Sequence, residues 1–307
     1  MKLKKSFLPV LTFILLLSAC TSPLAQTPQL TLTPAPPVTV EPPTPAPTTP
    51  PLTVDMLMNA TYMLPFYGRT VTLTNGTYQE GAGAEIYSVG LVEPLALGDL
   101  NGDGLEDAAV ILYENGGGSG VFVSLVAMLN QDGAPVQAGV AQLGDRIQVN
   151  PLAIQDGHIL LDMLVQGPND PLCCPTEPVT QAYRLFNNGL FLMHATTKVA
   201  SGGEHSIMIT SPTNNAEVTN PVTVIGSITL SPFENTLVYR VYNVANVKVE
   251  EMPFMVDATE MGGPGTFTFT FDLTNAAVTG PIRIEIIDIS MADGSTVALE
   301  AINLVLK

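Results

Sequence analysis

The chain has 307 residues, of which 46% are hydrophobic and 13% charged, and its formal net charge is −17. This length is enough for two ordinary domains and a tail. Because an acidic surface repels phosphate backbones and the chain has no basic cluster, we predict that nucleic acid is not a partner.

The first nineteen residues have the pattern of an export signal, with three lysines before a short apolar run over residues 7–17. That run is too short to span a membrane comfortably. The next residues, Leu17-Ser-Ala-Cys20, resemble the bacterial lipobox. The resemblance implies that residues 1–19 are removed and that a diacylglycerol is attached to Cys20. We therefore expect an extracytoplasmic lipoprotein held on the membrane by its acyl chains. The alternative is an ordinary signal peptide with a chance cysteine.

Residues 20–52 are predicted to form a Pro/Thr-rich linker, since eleven prolines lie in residues 21–51. Proline lacks a backbone N–H and favours polyproline II, so helix and sheet are excluded here. At about 3.1 Å per residue this stalk would reach roughly 90 Å. A merely disordered linker is the alternative, and it differs only in stiffness.

The first domain is predicted over residues 53–200 and is α+β or mainly β. Thr53 to Tyr62 has helical periodicity, and short apolar β runs follow it. Asn-Gly and Asp-Gly pairs, which favour hairpin turns, separate several of these runs. The pairs begin at residues 75, 132, 156 and 188. The predicted strands are 70–74, 85–91, 108–113, 121–129, 136–142, 146–149, 159–165, 180–186 and 190–196.

A calcium-type loop lies inside this domain. Oxygen-bearing side chains occupy loop positions 1, 3, 5 and 9, namely Asp99, Asn101, Asp103 and Asp107. Gly104 stands where such a loop turns sharply, and the carbonyl of Leu105 can supply a further ligand. Val110 stands where an EF-hand needs glutamate, so the loop instead resembles the β-flanked calcium loops of integrin-type repeats. We expect bound calcium of modest affinity; the alternative is a polar hairpin without metal.

Cys173 and Cys174 are the remaining cysteines if Cys20 carries lipid. An oxidising compartment favours a disulfide between them, although Cα atoms about 3.8 Å apart are closer than the usual disulfide minimum of about 4.4 Å. We expect this vicinal disulfide to staple the turn-rich loop over 169–175. A redox role and two buried reduced thiols remain alternatives. The scattered histidines at 158, 194 and 205 do not support a zinc site.

The second domain is predicted over residues 203–307, after a joint at Ser201-Gly-Gly203. It contains seven strands and almost no helical periodicity, which is the profile of an immunoglobulin-like sandwich. In residues 266–271 threonine and phenylalanine alternate, so three Phe should share one face. The predicted strands are 206–210, 222–230, 237–244, 247–250, 266–272, 281–289 and 296–306.

Two family resemblances follow from these motifs. Residues 206–307 resemble the immunoglobulin-like domain of bacterial spore germination proteins, on the motifs Ile207-Met-Ile-Thr-Ser-Pro212, Asn220-Pro-Val-Thr-Val-Ile-Gly226, Phe233-Glu234, Gly265-Thr-Phe267 and Gly280-Pro281. This resemblance implies a sandwich fold with a binding or scaffolding role and no catalytic residues. Residues 53–195 are similar to an uncharacterised domain of bacterial surface lipoproteins, on the motifs at 98–104, 117–120, 143–146 and 173–175. That similarity supports the calcium loop and the location.

The sequence therefore favours a lipid-anchored, non-catalytic protein that binds or scaffolds a cell-wall polymer, an envelope protein or another ligand. The alternative is an envelope hydrolase or thiol-redox enzyme in the 53–200 domain. The enzyme alternative would be favoured by a cleft that gathers Asp145, Arg146, Asp162 and Asp170. We expect a mainly β protein: an α+β or β domain, then an immunoglobulin-like sandwich, after a disordered stalk.

Overall fold

The computed structural model describes residues 49–167, 169–186, 189–199 and 202–307. The predicted signal peptide, Cys20 and nearly all of the linker lie outside these residues. Within the described ranges there is one α-helix, and strands dominate. The prediction of a mainly β fold is therefore confirmed.

The helix α1 (Val54–Met58) is shorter than the predicted segment. It begins after Thr53, whose side chain accepts a hydrogen bond from the N–H of Met56 at 3.3 Å, and it ends at Asn59. Tyr62, which was predicted to be helical, lies in a strand whose residues are alternately exposed and buried. That alternation places Tyr62 in the core, where its hydroxyl donates to the carbonyl of Leu57 at 2.8 Å.

The described residues of the N-terminal half contain eleven strands. They are β1 (Thr61–Leu64), β2 (Arg69–Thr72), β3 (Thr77–Glu80), β4 (Tyr87–Gly98), β5 (Asp107–Asn115), β6 (Phe122–Gln131), β7 (Ala134–Asp145), β8 (Gln148–Gln155), β9 (His158–Val165), β10 (Glu177–Phe186) and β11 (Gly189–Lys198). Strands β3 to β7 form a five-stranded antiparallel sheet in chain order. One face of it packs on α1 and the β1–β2 hairpin, and the other packs on strands β8 to β11.

The C-terminal half contains the remaining strands. They are β12 (Glu204–His205), β13 (Ile207–Ser211), β14 (Ala216–Val218), β15 (Val222–Ile228), β16 (Thr236–Asn243), β17 (Lys248–Met255), β18 (Asp257–Ala258), β19 (Gly265–Phe271), β20 (Gly280–Ile289) and β21 (Thr296–Leu306). A four-stranded sheet, β13-β15-β19-β18, packs on strands β17, β16, β20 and β21. The predicted sandwich is present. The sequence reasoning missed β1, β3, β12, β14 and β18, because two to four residues are too few to show a period.

Strand pairing crosses from one half to the other. A ten-stranded sheet runs in the order β17-β16-β20-β21-β11-β10-β9-β8, with β12 and β14 at its sides. The two halves join where β11 pairs with β21. In this pairing His194 lies opposite Glu300, and Ala195 lies opposite Leu299. By their internal contacts, residues Thr48–Lys307 belong to one compact unit.

A buried arginine also ties the halves together. Arg283 on β20 is 5% exposed, and its guanidinium forms an ion pair with Glu285 at 3.0 Å. The same guanidinium lies 4.5 Å from the ring centres of both Phe191 and Tyr242. Phe191 belongs to β11, so this cation–π stack links a strand of the N-terminal half to the sandwich.

Candidate functional site

The predicted calcium loop connects β4 to β5 on the surface. Gly102 and Gly104 have φ angles of +84° and +82°, and nothing lies within 4 Å of where their Cβ atoms would be. Only glycine adopts this left-handed conformation without strain, so these two residues set the tight path of the loop. The local sequence alone therefore explains why the polar side chains gather here.

The polar side chains of the loop bind its own backbone. Asp99 accepts from the N–H groups of Gly102 at 2.6 Å and Gly104 at 2.9 Å, and these bonds hold the pKa of its carboxyl below the usual value. Asn101 accepts from the N–H of Asp103 at 2.9 Å and donates to the Asp103 carboxylate at 2.8 Å. The loop is thus pre-shaped by hydrogen bonds within it.

Asp107 lies beneath the loop and is fully buried. Its two carboxylate oxygens accept from the N–H groups of Leu100 and Asn130, both at 2.9 Å. Burial raises the pKa of Asp107, and these hydrogen bonds oppose that change. Asn130 was not singled out from the sequence, because it belongs to the end of β6, far along the chain. It precedes the Asp132-Gly133 turn, and its side-chain Oδ1 accepts from the N–H of Gly133 at 2.9 Å.

The donor chemistry of the loop fits a hard cation. A carboxylate offers about four lone-pair sites, and each carboxylate here uses only some of them on N–H groups. Free lone pairs therefore remain on Asp99, Asp103 and Asp107. Within the described ranges, however, no group of three or more His, Cys, Asp or Glu side chains converges on one point where an ion could be held. The carboxylates would have to turn toward a common point to share a cation.

The cysteine pair lies on an exposed loop between β9 and β10. The structure joins the sulphur atoms of Cys173 and Cys174. Asp170 fixes this loop by accepting from the N–H groups of Gly167 at 2.8 Å and Thr176 at 2.7 Å. The neighbouring Leu172 is 70% exposed, so the loop presents an apolar tip to solvent.

The charged residues whose meeting would favour an enzyme are not gathered in one cleft. Asp145 is bonded to Arg146, whose guanidinium also donates to the carbonyl of Leu172 at 2.9 Å. Asp162 is exposed and accepts from the Thr180 hydroxyl at 2.6 Å. Asp170 is used in shaping the cysteine loop. This arrangement does not favour the hydrolase alternative.

The predicted anchor residue, Cys20, lies outside the described residues, as does the rest of the signal segment. Among the residues that are described, no helix has the length and apolarity to cross a membrane.

Comparison with known proteins assigns a family to part of the C-terminal half. Residues 206–295 match the family described as the immunoglobulin-like domain of bacterial spore germination. The match covers strands β13 to β20. Strand β21 follows the matched residues and pairs with β20. No curated protein matches the chain.

Proposed function

We propose that this chain is a lipid-anchored, extracytoplasmic protein of the bacterial cell envelope that binds or scaffolds a partner without catalysis. The observation that carries the proposal is the immunoglobulin-like sandwich at residues 206–295, which is joined by a continuous sheet to a second β half. Such a body offers broad, fixed surfaces for a wall polymer or an envelope protein. The signal pattern, Cys20 and the proline-rich linker support the location.

The anchor is tested by Cys20→Ser. We expect this variant to leave the membrane fraction, because the acyl chains on Cys20 would be its attachment. The matched control is the double variant Cys173→Ser/Cys174→Ser, which removes the other thiols and should stay with the membrane. Fractionation of cells after a high-salt wash measures both. A Cys20→Ser protein that remains in the membrane pellet would contradict the lipid anchor.

The binding role is tested by cross-linking in intact cells. Wild-type protein should give a discrete adduct with a wall polymer or an envelope protein. A protein that forms no adduct and instead hydrolyses envelope material after purification would favour the enzyme alternative.

We also propose that the β4–β5 loop holds calcium. The ligands would be the side chains of Asp99, Asn101, Asp103 and Asp107, with the carbonyl of Leu105. Calcium prefers six to eight oxygen ligands, which this set and water can supply. When bound, the ion would neutralise the aspartates and fix the start of β5. The support is the donor spacing and the two left-handed glycines, Gly102 and Gly104.

The calcium proposal is tested by thermal melts of the whole chain with millimolar calcium and with a chelator. At one hundred times the dissociation constant, bound calcium should stabilise the fold by about 2.7 kcal/mol. For a chain of this size the melting temperature should rise by roughly 5–10 °C. Asp103→Ala should abolish the rise, and magnesium should substitute poorly.

The matched control is Glu106→Gln, which removes an exposed charge from the same loop at a position that is not a predicted ligand. It should keep the calcium response. A wild-type melt that ignores both calcium and chelator would mean that the loop is a polar hairpin.

A further inference from the structure

A cleft of about 940 Å³ opens where the N-terminal half meets the sandwich. Strands β9, β10 and β11 contribute to its lining, together with the end of β7, the turn between β20 and β21, and the first two residues of β21, Thr296 and Val297. Leu172 of the cysteine loop also lines it. Clefts that bind small ligands commonly enclose about 300–1,000 Å³, so this one has the size of a ligand site.

Along strand β10, the side chains that line the cleft are charged at one end and uncharged over the rest of the strand. Alternate residues of the strand line it, in the order Glu177, Val179, Gln181 and Tyr183. Across β9, Val165 lies opposite Glu177 and Met163 lies opposite Val179. At about 3.3 Å per residue, the line from Glu177 to Tyr183 is roughly 20 Å long. A carboxylate at one end is thus followed by an apolar strip of Val179 and Met163, and then by the more polar Gln181 and Tyr183.

The charges that line the cleft are all negative: Asp145, Glu177 and Asp293. Asp145 is paired with Arg146, and Asp293 accepts from the Ser295 hydroxyl at 2.8 Å. Glu177 differs from both, because no described residue donates a hydrogen bond to its side chain. Burial raises its pKa, and the nearby carboxylates of Asp170 and Asp293 raise it further. A cation beside Glu177 would relieve this repulsion.

We propose that this cleft binds an aliphatic primary ammonium compound, with the ammonium group beside Glu177 and the stem along Met163 and Val179. The inference rests on the proposed binding role and names the class of ligand. A metal ion fits less well than an organic cation, because within the described ranges no three His, Cys, Asp or Glu side chains converge on a point where an ion could be held. An ammonium group brings three hydrogen-bond donors, and its alkyl stem can cover the apolar strip.

The test titrates the purified whole chain with hexylamine, 1-hexanol and hexanoate, which share one stem length and differ in charge. We expect hexylamine to bind at least ten-fold more tightly than hexanol. Glu177→Gln should bring that ratio close to one without changing hexanol binding. Glu177→Lys should reverse the preference toward hexanoate. Both substitutions affect a half-exposed side chain, and circular dichroism checks that each variant folds.

The matched control is Asp162→Asn, which removes one negative charge from β9 on the face opposite Met163. It should leave the hexylamine-to-hexanol ratio unchanged. A second probe, Nα-acetyl-lysine amide, separates two sources of the ammonium group. Binding as tight as hexylamine assigns the site to lysine side chains of peptides, and ten-fold weaker binding assigns it to small free amines.

Equal binding of hexylamine and hexanol to the wild-type protein would overturn the inference, and so would an unchanged ratio in Glu177→Gln. That result would leave the proposed function standing if cross-linking still captured an envelope partner. Conversely, amine binding by a protein that shows no envelope adduct would contradict the proposed function and preserve the site.

Discussion

At the scale of single residues, the partners of a carboxylate decide its behaviour in this acidic chain. Asp99 and Asp107 belong to the same loop, yet their pKa values move in opposite directions. Asp99 is partly exposed and accepts several backbone N–H bonds that favour its ionised form. Asp107 is buried, and the loss of solvent outweighs its two hydrogen bonds. Spacing in the sequence identifies both residues but not this difference.

One histidine at the joint, His194, is expected to give a pH-dependent contribution to stability. His194 on β11 is bonded to Glu300 on β21, and this hydrogen bond raises the pKa of His194 above its usual 6.5, against an opposing effect of burial. Glu204 adds a weaker effect in the same direction. His205 Nε2 lies 2.9 Å from a carboxylate oxygen of Asp288 but forms no hydrogen bond with it.

We predict that His194→Gln loses stability most at low pH. A raised folded-state pKa stabilises the protonated form, so the contribution is complete below about pH 6.5 and disappears as the pH rises through the folded-state value. The melting-temperature difference between wild type and variant should therefore be largest near about pH 6 and vanish once the pH exceeds the folded-state pKa.

The control for this pH series is His158→Gln, since His158 is bonded only to the backbone carbonyl of Asp156 and lies away from the joint. Its melting temperature should follow that of the wild type. A constant difference between wild type and His194→Gln across the series would show that the His194 contact does not depend on charge.

At the scale of elements, β19 shows how a period of two builds the sandwich core. Its residues are alternately buried and exposed, with Phe267, Phe269 and Phe271 facing inward. The ring of Phe269 stacks on Tyr239 at 4.5 Å between centres and lies 4.4 Å from Phe254. The predicted inward face is confirmed, and aromatic packing adds to simple burial there.

We predict that Phe269→Ala and Phe271→Ala each destabilise the protein by about 3–5 kcal/mol, because each removes a buried ring and leaves a cavity. The melting temperature of the whole chain should fall by roughly 6–20 °C. Thr268→Ala, on the exposed face of the same strand, should change stability by less than about 0.5 kcal/mol. Midpoints unchanged in both Phe variants would contradict the observed strand orientation.

At the scale of the whole molecule, the joint between the halves combines several kinds of contact. Two residue pairs join β11 to β21, and the Thr197 hydroxyl donates to the carbonyl of Val297 at 2.7 Å. Met193 and Ala195 of β11 share an apolar cluster with Ile287 and Leu299 of the sandwich. Arg283, stacked between rings from both halves, adds to this. The proposed amine-binding cleft depends on the joint, because both halves line it.

The sequence by itself determined the local features. Left-handed φ angles at both residues of the pairs beginning at Asn75, Asp132 and Asp156 confirm three predicted hairpin turns. The alternation at residues 266–271 and the glycine-shaped loop before β5 were predictable for the same reason. Each depends on the conformational preferences of neighbouring residues, which the chain order displays directly.

Only the tertiary structure decided which distant residues meet. His194 and Glu300 are 106 residues apart, and Glu177 approaches Asp293 only because the turn between β20 and β21 reaches the cleft. Asn130 supports Asp107 across two paired strands for a similar reason. Such contacts depend on strand order and register within the sheets. The spacing of apolar residues and the turn type constrain only neighbours along the chain, so they do not determine which strands lie side by side.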